Sequence, residues 1–364
     1  MGNYLNTPAI HIDLDTVERN IKKAVDGLAA AGIAHRPHIK VHKSVYFAKM
    51  QVAMGCKGIT CAKLGEAEVM ADGGIDDILL AFPVIGRDKL ERYGRLASRE
   101  GLTLRTIINS VEGAEGLSAL GRKMGRPLPV LIEVDGGINR GGIRQDGSLE
   151  EFAVKVKDLP GIVVEGVEYY GGDIYGCKTR EAIRERSRQE GAEILSAAKR
   201  LREVGLTMDI LSGGSSFSLL FPEELAGITE VRAGNYIFND GSLLSLGFID
   251  TADCALRVRS TVVSRPDDRH AIMDAGSKTI TSDRIGGWES FGYIVEAPEI
   301  EIYKLNEEHG FLRSEADIPF RVGDVLSVIP NHSCVLPNLA DEVYGMRGGR
   351  LERVIPVDAR GRNR

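Results

Sequence analysis

The chain has 364 residues, of which 43% are hydrophobic and 27% charged, and its net charge is −6. This is the composition of a globular protein, and the acidic balance excludes the basic surface that nucleic-acid or anionic-membrane binding requires. The chain has no apolar run near the roughly 18 residues of a membrane span and does not open with a signal-peptide pattern. Five cysteines without a CxxC pair predict a reduced, cytoplasmic protein, and a small-molecule substrate is the natural expectation.

From Ala9 to about residue 240, short apolar segments alternate with amphipathic ones, beginning with the strand candidate AIHIDL. About nine strand candidates occur in this region, and a helical pattern separates nearly all of them. This alternation is typical of βαβ units with a parallel sheet, and the length fits the roughly 250 residues of a (β/α)8 TIM-like barrel. A doubly wound open sheet is the alternative, disfavoured because no G-x-G-x-x-G follows the first strand.

The pattern changes after about residue 245. Short strand candidates separated by turns replace the alternation, as in ALRVRSTVVSR, HAIMDAG, VLSVIP and RVIPV. The sequence therefore predicts an α/β barrel over residues 1–244 and a smaller all-β domain over residues 245–364. Because a barrel places its chemistry at the C-terminal ends of its strands, the polar segments at those positions are the candidate sites.

Three of these segments can hold a phosphorylated cofactor. Lys40 ends the strand candidate in RPHIKVHK, where a lysine can form a Schiff base with the aldehyde of pyridoxal phosphate; the alternative is a surface lysine. The loops LSGGSSFS and RAGNYIFND offer backbone N–H groups and hydroxyls to a phosphate, or are two ordinary turns. Their position on consecutive late strands favours the phosphate.

Two further segments carry polar side chains that could bind a cofactor or a metal. Arg140, in DGGINRGG, can hydrogen-bond a cofactor ring oxygen or neutralise a carboxylate, or can belong to a charged turn. His332 and Cys334, in PNHSC, lie two residues apart on an extended segment and so point to one face. Imidazole and thiolate together favour zinc, although an isolated H-x-C is often structural.

Seven segments together resemble one known family over nearly the whole chain. They are, in order, RPHIKVHK, GITCAKLGEAEVMADGGIDDILLAFPV, EVDGGINRGG, GGDIYGC, RAGNYIF, NEEHG and PNHSC. The resemblance is to the fold-type III pyridoxal-phosphate enzymes that include D-threonine aldolase and the metal-dependent D-serine dehydratases. It implies an alanine-racemase-like barrel followed by a β domain, a D-amino acid substrate and a homodimer.

The resemblance also implies roles for individual residues. Lys40 matches the catalytic lysine that holds the cofactor covalently, and His332 with Cys334 matches the metal pair beside the substrate's β-hydroxyl. Zinc is the favoured ion, with manganese or magnesium as alternatives, and His332 counts as catalytic through that metal. The remaining cofactor or substrate contacts implied by the resemblance are Arg140, Tyr175, Ser215, Ser216, Gly234, Asn235 and Tyr236.

The activity implied is that of a pyridoxal-phosphate- and metal-dependent lyase acting on D-3-hydroxy amino acids. The H-x-C pair resembles the dehydratases, which release a 2-oxo acid and ammonia, whereas the following PNLADE resembles the aldolases, which release glycine and an aldehyde. An amino-acid racemase is disfavoured by the metal pair, and a non-catalytic cofactor-binding protein by the β domain. Tyr170 replaces a histidine that both branches usually carry, which leaves His42 and His309 as candidates for a second base.

Overall fold

The computed structural model describes residues 6–284 and 288–364. The chain folds into two compact units that are interleaved along the sequence. The barrel unit comprises Lys23–Lys40, Phe47–Gly234 and Arg362–Arg364, and the sheet unit comprises Met1–Lys22, Val41–Tyr46 and Asn235–Gly361. The sequence predicted two consecutive domains and did not anticipate this interleaving.

The described chain opens with strand β1 (Ala9–Asp13) and helix α1 (Leu14–Ala30). Strands and helices then alternate as far as Val231. The strands are β2 (Ala34–His35), β3 (Ile59–Cys61), β4 (Asp77–Leu80), β5 (Thr103–Ile108), β6 (Leu128–Val134), β7 (Ile162–Tyr169), β8 (Ile210–Gly213) and β9 (Glu230–Val231). The helices are α2 (Val45–Ala53), α3 (Leu64–Asp72), α4 (Arg87–Ala97), α5 (Val111–Met124), α6 (Ser148–Val156) and α7 (Arg180–Glu203).

Strands β2 to β9 form the parallel sheet of the barrel unit, in the order β2-β9-β8-β7-β6-β5-β4-β3. A parallel bridge between His38 and Thr60 brings the β2 and β3 edges of this sheet together, so the sheet curls into a barrel. The strands of the barrel are mostly apolar, as expected of strands buried on both faces. A buried hydrophobic cluster inside the barrel comprises Leu79, Ile107, Leu131 and Ile210. The predicted barrel is confirmed.

The remaining strands form the second, mostly antiparallel sheet. They are β10 (Leu256–Asp267), β11 (His270–Met273), β12 (Gly292–Ile294), β13 (Glu301–Leu305), β14 (Gly310–Arg313), β15 (Val325–Pro330), β16 (Glu342–Arg347) and β17 (Arg350–Pro356). Together with β1 they form one sheet in the order β13-β14-β11-β10-β1-β16-β17, and β15 pairs with β10 and β12. Three short helices accompany them, namely α8 (Gly241–Leu244), α9 (Ser277–Ile280) and α10 (Leu336–Leu339). The predicted β character of this part is confirmed.

Strand β1 belongs to the second sheet and not to the barrel. It runs antiparallel to β10 and parallel to β16. The sequence-based expectation that AIHIDL is the first of the barrel's strands is therefore wrong. The physical reason is its alternation: Ile10 and Ile12 are buried whereas His11 is only half-buried, a pattern that suits a sheet with one exposed face and not a barrel strand covered on both sides.

Strand β2 is shorter than the strand candidate that the sequence extends to Lys40. It stops at His35, and Ile39–Val41 forms a turn of 3-10 helix. Pro37 has no N–H for a sheet hydrogen bond, although its carbonyl still accepts the Thr60 N–H at 2.8 Å. Lys40 is therefore displayed on a turn beyond the strand end. Among the described helices, none is long and apolar enough to cross a membrane.

Candidate active site

The lysine predicted to hold a cofactor lies on the 3-10 turn that follows the first barrel strand. Lys40 is exposed, and its backbone N–H lies 3.5 Å from Nδ1 of His38. Burial lowers the pKa of His38 well below its usual range, and the nearby positive charges of Lys40 and Arg232 lower it further. His38 is therefore a neutral imidazole beside the lysine at neutral pH.

Arg140 lies in the loop that follows β6, and its guanidinium stacks 4.3 Å from the ring centroid of Tyr170, the first residue after β7. A cation placed over an aromatic face is held by the ring quadrupole. Tyr170, the residue that replaces a histidine in the resembling family, thus forms one face of this stacked pair. Arg140 also contributes to lowering the pKa of His38, which places its charge near the lysine turn.

Tyr175 connects two of the loops at this end of the barrel. Its ring centroid lies 4.8 Å from that of Phe217, which belongs to the loop after β8. Tyr175 is 37% exposed, whereas Phe217 is 2% exposed. The contact leaves part of the Tyr175 side chain accessible to a bound molecule.

The glycine- and serine-rich loop after β8 has the small residues and hydroxyl groups that phosphate sites use. Gly214 has φ +79°, and a Cβ at this position would lie 2.8 Å from the Val231 side chain. A Cβ at Gly234 would lie 2.6 Å from the His38 carbonyl oxygen. Only glycine allows such close backbone approach. Ser215 and Ser216 are both buried, and serine with backbone N–H is the donor chemistry that a phosphate takes.

A buried carboxylate supports this loop and was missed by the sequence analysis. Glu190 on α7 is 2% exposed, and its Oε1 accepts the N–H of Gly214 at 3.1 Å. Its Oε2 is buried with no hydrogen-bond partner among the described residues, and burial raises the pKa of the carboxyl group.

The interior of the barrel contains a connected set of charges that the sequence analysis also missed. Arg232 donates to the Ser212 hydroxyl and the Tyr169 carbonyl, each at 2.8 Å, and pairs with Glu168. The Ser212 hydroxyl in turn donates to Glu230 at 2.8 Å. Because these residues are buried and come from three different strand segments, they fix the relative heights of those strands.

The predicted metal pair follows β15 in the sheet unit. Nδ1 of His332 lies 3.0 Å from Oδ2 of Asp240, and Cys334 follows His332 by two residues. Burial lowers the pKa of His332, but the nearby Cys334 side chain and Asp240 carboxylate outweigh it and raise the pKa to about 11. The described residues contain no group of three or more His, Cys, Asp or Glu side chains that could hold a metal. The pair would therefore leave coordination positions for water or substrate.

The side chain of Asn235 has partners that the sequence did not predict. Its side-chain N–H donates to Asp240 Oδ2 at 2.6 Å, and its carbonyl oxygen accepts from the Ser333 hydroxyl. The side chain thus supports Asp240, the partner of His332. Tyr236, the next residue, is 4% exposed.

The two histidines considered as a second base occupy different environments. His42 is buried, its Nδ1 accepts the Ser44 N–H at 3.1 Å, and its ring contacts Phe238. His309 is exposed in the turn between β13 and β14. The structure therefore brings His38, Arg140 and Arg232 around the Lys40 turn in one unit, and assembles His332, Cys334 and Asn235 around Asp240 in the other.

Comparison with known proteins agrees with these features. The family model described as "Alanine racemase, N-terminal domain" matches residues 12–241, and the one described as "Putative serine dehydratase domain" matches residues 255–346. The D-threo-3-hydroxyaspartate dehydratase of Delftia sp. (strain HT23) is 35% identical over 91% of both chains. The D-threonine aldolase of Arthrobacter sp is 33% identical over 99% of this chain and 94% of its own.

A solved structure extends the likeness to three dimensions. A cysteine-to-alanine mutant of D-threo-3-hydroxyaspartate dehydratase, described as being in the metal-free form, superposes with a TM-score of 0.90. It is 32% identical and the match covers 97% of each chain. The similarity therefore spans both sheets.

Proposed function

Because the chain belongs to the family built from an alanine racemase N-terminal domain followed by a putative serine dehydratase domain, we propose that it is a pyridoxal-phosphate- and metal-dependent lyase acting on D-3-hydroxy amino acids. The observation that carries this proposal is His332, whose Nδ1 lies 3.0 Å from the buried carboxylate of Asp240, two residues before Cys334, in a chain that also displays Lys40 on a turn beyond a barrel strand. The relatives named above are dehydratases and aldolases of such substrates.

The barrel unit has the groups that pyridoxal phosphate requires. Lys40 Nζ would bond the aldehyde carbon, the loop at Gly214–Ser216 would take the phosphate, and Arg140 would meet the ring substituents. When bound, the cofactor supplies an electron sink at the substrate's Cα and the metal supplies a Lewis acid. Small residues, buried hydroxyls and close backbone approach in the loop support this assignment.

The sheet unit has the groups that a divalent metal requires. With Nδ1 of His332 bonded to Asp240, Nε2 is the nitrogen that would bind the ion, and Cys334 would bind it as a thiolate. Nitrogen and sulfur ligands favour zinc over magnesium or calcium, so zinc is the proposed ion. A homodimer in the cytoplasm completes the proposal.

Elimination of water is the reaction that the residues favour. It needs a base for the Cα proton, which Lys40 Nζ can provide, and Lewis-acid help at the leaving hydroxyl. Cleavage to glycine and an aldehyde instead needs a base for the β-hydroxyl proton. Tyr170 occupies the position at which the resembling family carries a histidine, and its ring is stacked with Arg140, so this chain lacks an imidazole base at that position. We therefore propose a D-serine dehydratase-like enzyme.

D-Threonine aldolase activity is the second candidate. The identity of 33% to an aldolase over 99% of this chain, together with the segment PNLADE, favours it. Product analysis by NMR decides between the two. The protein is incubated with D-threonine, pyridoxal phosphate and Zn²⁺ or Mn²⁺. 2-Oxobutanoate with ammonium supports the dehydratase, and glycine with acetaldehyde supports the aldolase. Absence of both products from D-threonine, D-serine and D-3-hydroxyaspartate would refute the lyase.

A further inference from the structure

Asp240 is the most heavily hydrogen-bonded carboxylate around the metal pair. It is 0% exposed. Its Oδ2 faces Nδ1 of His332 at 3.0 Å and accepts the Ser333 N–H at 2.8 Å and the Asn235 side-chain N–H at 2.6 Å. Its Oδ1 accepts the Ser242 N–H at 3.0 Å and the Ser242 hydroxyl.

These contacts hold the carboxylate in one orientation. Ser242 lies in α8 immediately after Asp240, whereas His332 is 92 residues away in the chain. The Ser333 hydroxyl donates to the Asn235 side-chain carbonyl oxygen, so two of the groups that bond Asp240 also bond each other. Because every bond to Asp240 comes from a buried or half-buried donor, rotation of the carboxylate would leave several donors unpaired.

A carboxylate fixed against Nδ1 determines which histidine nitrogen can bind a metal. It accepts the Nδ1 proton, so Nε2 is the nitrogen that can bind a metal once the metal displaces its proton, and it makes the imidazole a stronger ligand. It also sets the angle of the ring, so that Nε2 and the Cys334 sulfur can face the same ion. Histidine ligands without such a partner can change tautomer and rotate.

We propose that Asp240 is a positioning residue that makes His332 an Nε2 metal ligand, and that Asn235 and Ser242 hold Asp240 in place. This inference rests on the proposed function, since it presupposes that His332 and Cys334 bind a divalent metal. It assigns the loop residue Asn235 to the metal centre through its side chain. Asp240 itself is not a ligand and does not touch substrate.

The test is metal affinity, measured on the full-length protein retaining its pyridoxal phosphate. Metal is removed with a chelator, and Zn²⁺ is titrated back in competition with a chromophoric chelator. Asp240→Asn is expected to weaken Zn²⁺ binding by about 10- to 100-fold. Titration with Co²⁺ should show a changed ligand-field spectrum in the same variant, because the geometry of the site has altered. A purely structural carboxylate would leave that spectrum unchanged.

Asp274→Asn is the matched control. Asp274 is a half-buried carboxylate of the same unit that bonds Thr7, Ser260 and Thr261 and no metal-pair residue. It should lose stability but keep wild-type Zn²⁺ affinity. If Asp240→Asn does not fold, Ser242→Ala replaces it and should weaken binding less. If a folded Asp240→Asn variant binds Zn²⁺ as tightly as the wild type, the inference is overturned. If Asp240→Asn does not fold, wild-type Zn²⁺ affinity in Ser242→Ala overturns it. Failure of the wild type to bind Zn²⁺ would instead overturn the proposed metal function.

Discussion

The single side chain on which the proposed chemistry depends most is Lys40. Lys40→Ala is expected to abolish covalent attachment of pyridoxal phosphate, because the described turn places this exposed amine at the strand end. Borohydride reduction followed by peptide mass spectrometry measures the label. Lys49→Ala, which removes an exposed lysine of α2, should keep it. A label that persists in Lys40→Ala would identify another lysine as the attachment site.

Substitution of His332 should remove metal binding without affecting cofactor binding. His332→Ala is expected to keep the cofactor's visible absorbance while losing Zn²⁺ and at least about 100-fold in turnover, a loss typical of removing a catalytic metal's stabilisation of charge. Metal content by mass spectrometry and steady-state kinetics measure the two effects. His270→Ala is the control, because His270 is an exposed histidine paired with Asp267. Full turnover of His332→Ala in chelator would remove the metal from the mechanism.

The residues found from sequence differ from those missed in one physical respect. Lys40, Arg140 and the His332–Cys334 pair lie in short segments whose residue types already indicate their chemistry. Asp240 and Glu190 are ordinary acids in the sequence, and their roles come from partners 92 and 24 residues away. Such long-range pairing is decided by the fold, so a local pattern cannot reveal it.

At the scale of elements, the loop after β8 depends on the absence of a side chain at Gly214. Gly214→Ala is expected to cost about 1–3 kcal/mol of folding stability from its left-handed backbone and also to weaken pyridoxal phosphate binding. The added Cβ would meet Val231 at 2.8 Å and shift the loop. Urea unfolding and a cofactor titration measure the two quantities.

Gly205 provides the matched control for that substitution. It also has a positive φ, +92°, but a Cβ there would meet nothing within 4 Å. Gly205→Ala should therefore lose stability from backbone strain alone and bind the cofactor as the wild type does. Equal cofactor affinity in both variants would show that the loop does not take the phosphate.

Glu190, on helix α7, is expected to make the free energy of unfolding depend on pH. Burial raises the pKa of its carboxyl group in the folded protein, so the folded state holds a proton that the unfolded state releases at lower pH. The contribution of this group to the free energy of unfolding therefore falls as pH rises from the ordinary glutamate pKa through the raised one. Glu190→Gln removes this contribution, and its stability relative to the wild type should increase with pH.

The comparison is made by urea unfolding at several values between about pH 5 and pH 8. Glu181→Gln serves as control, because Glu181 is exposed on the same helix. A stability difference between Glu190→Gln and the wild type that does not change with pH would contradict the raised pKa.

Elements with strong patterns were predictable, and those shaped by neighbours were not. The barrel was predictable from its alternating segments, because a buried apolar run such as β4 and an amphipathic helix such as α7 are each visible in their own residues. The early end of β2 and the exclusion of β1 from the barrel depend on which strand lies alongside. The alternation in β1 was nevertheless a usable signal, since parallel barrel strands rarely alternate.

At the scale of the whole molecule, the chain enters the sheet unit three times, at Met1–Lys22, Val41–Tyr46 and Asn235–Gly361. Sequence composition changes only once, near residue 245, which is why it predicted a single boundary. Composition reports the kind of secondary structure in a segment. It does not report which segments pack together, and a strand taken from the far end of the chain leaves no mark on the composition of its partners.

This interleaving predicts how fragments behave. Strand β1 lies between β10 and β16 in the sheet order, so a fragment of residues 245–364 would expose two unpaired strand edges in the middle of its sheet. It would also lose the burial of Ile12, which is 0% exposed. The fragment is therefore expected to be unfolded or aggregated, with a poorly dispersed amide NMR spectrum.

Restoring β1 should restore the fold of that fragment. Fusing residues 6–13 to its N-terminus through a flexible glycine–serine linker supplies both missing sets of strand hydrogen bonds, and the amide spectrum should become dispersed. The same fusion carrying Ile12→Lys is the matched control and should not fold, because burying an unpaired ammonium costs several kcal/mol. A well-dispersed spectrum from residues 245–364 alone would show that this segment folds without β1 and that the single boundary near residue 245 marks an independent domain.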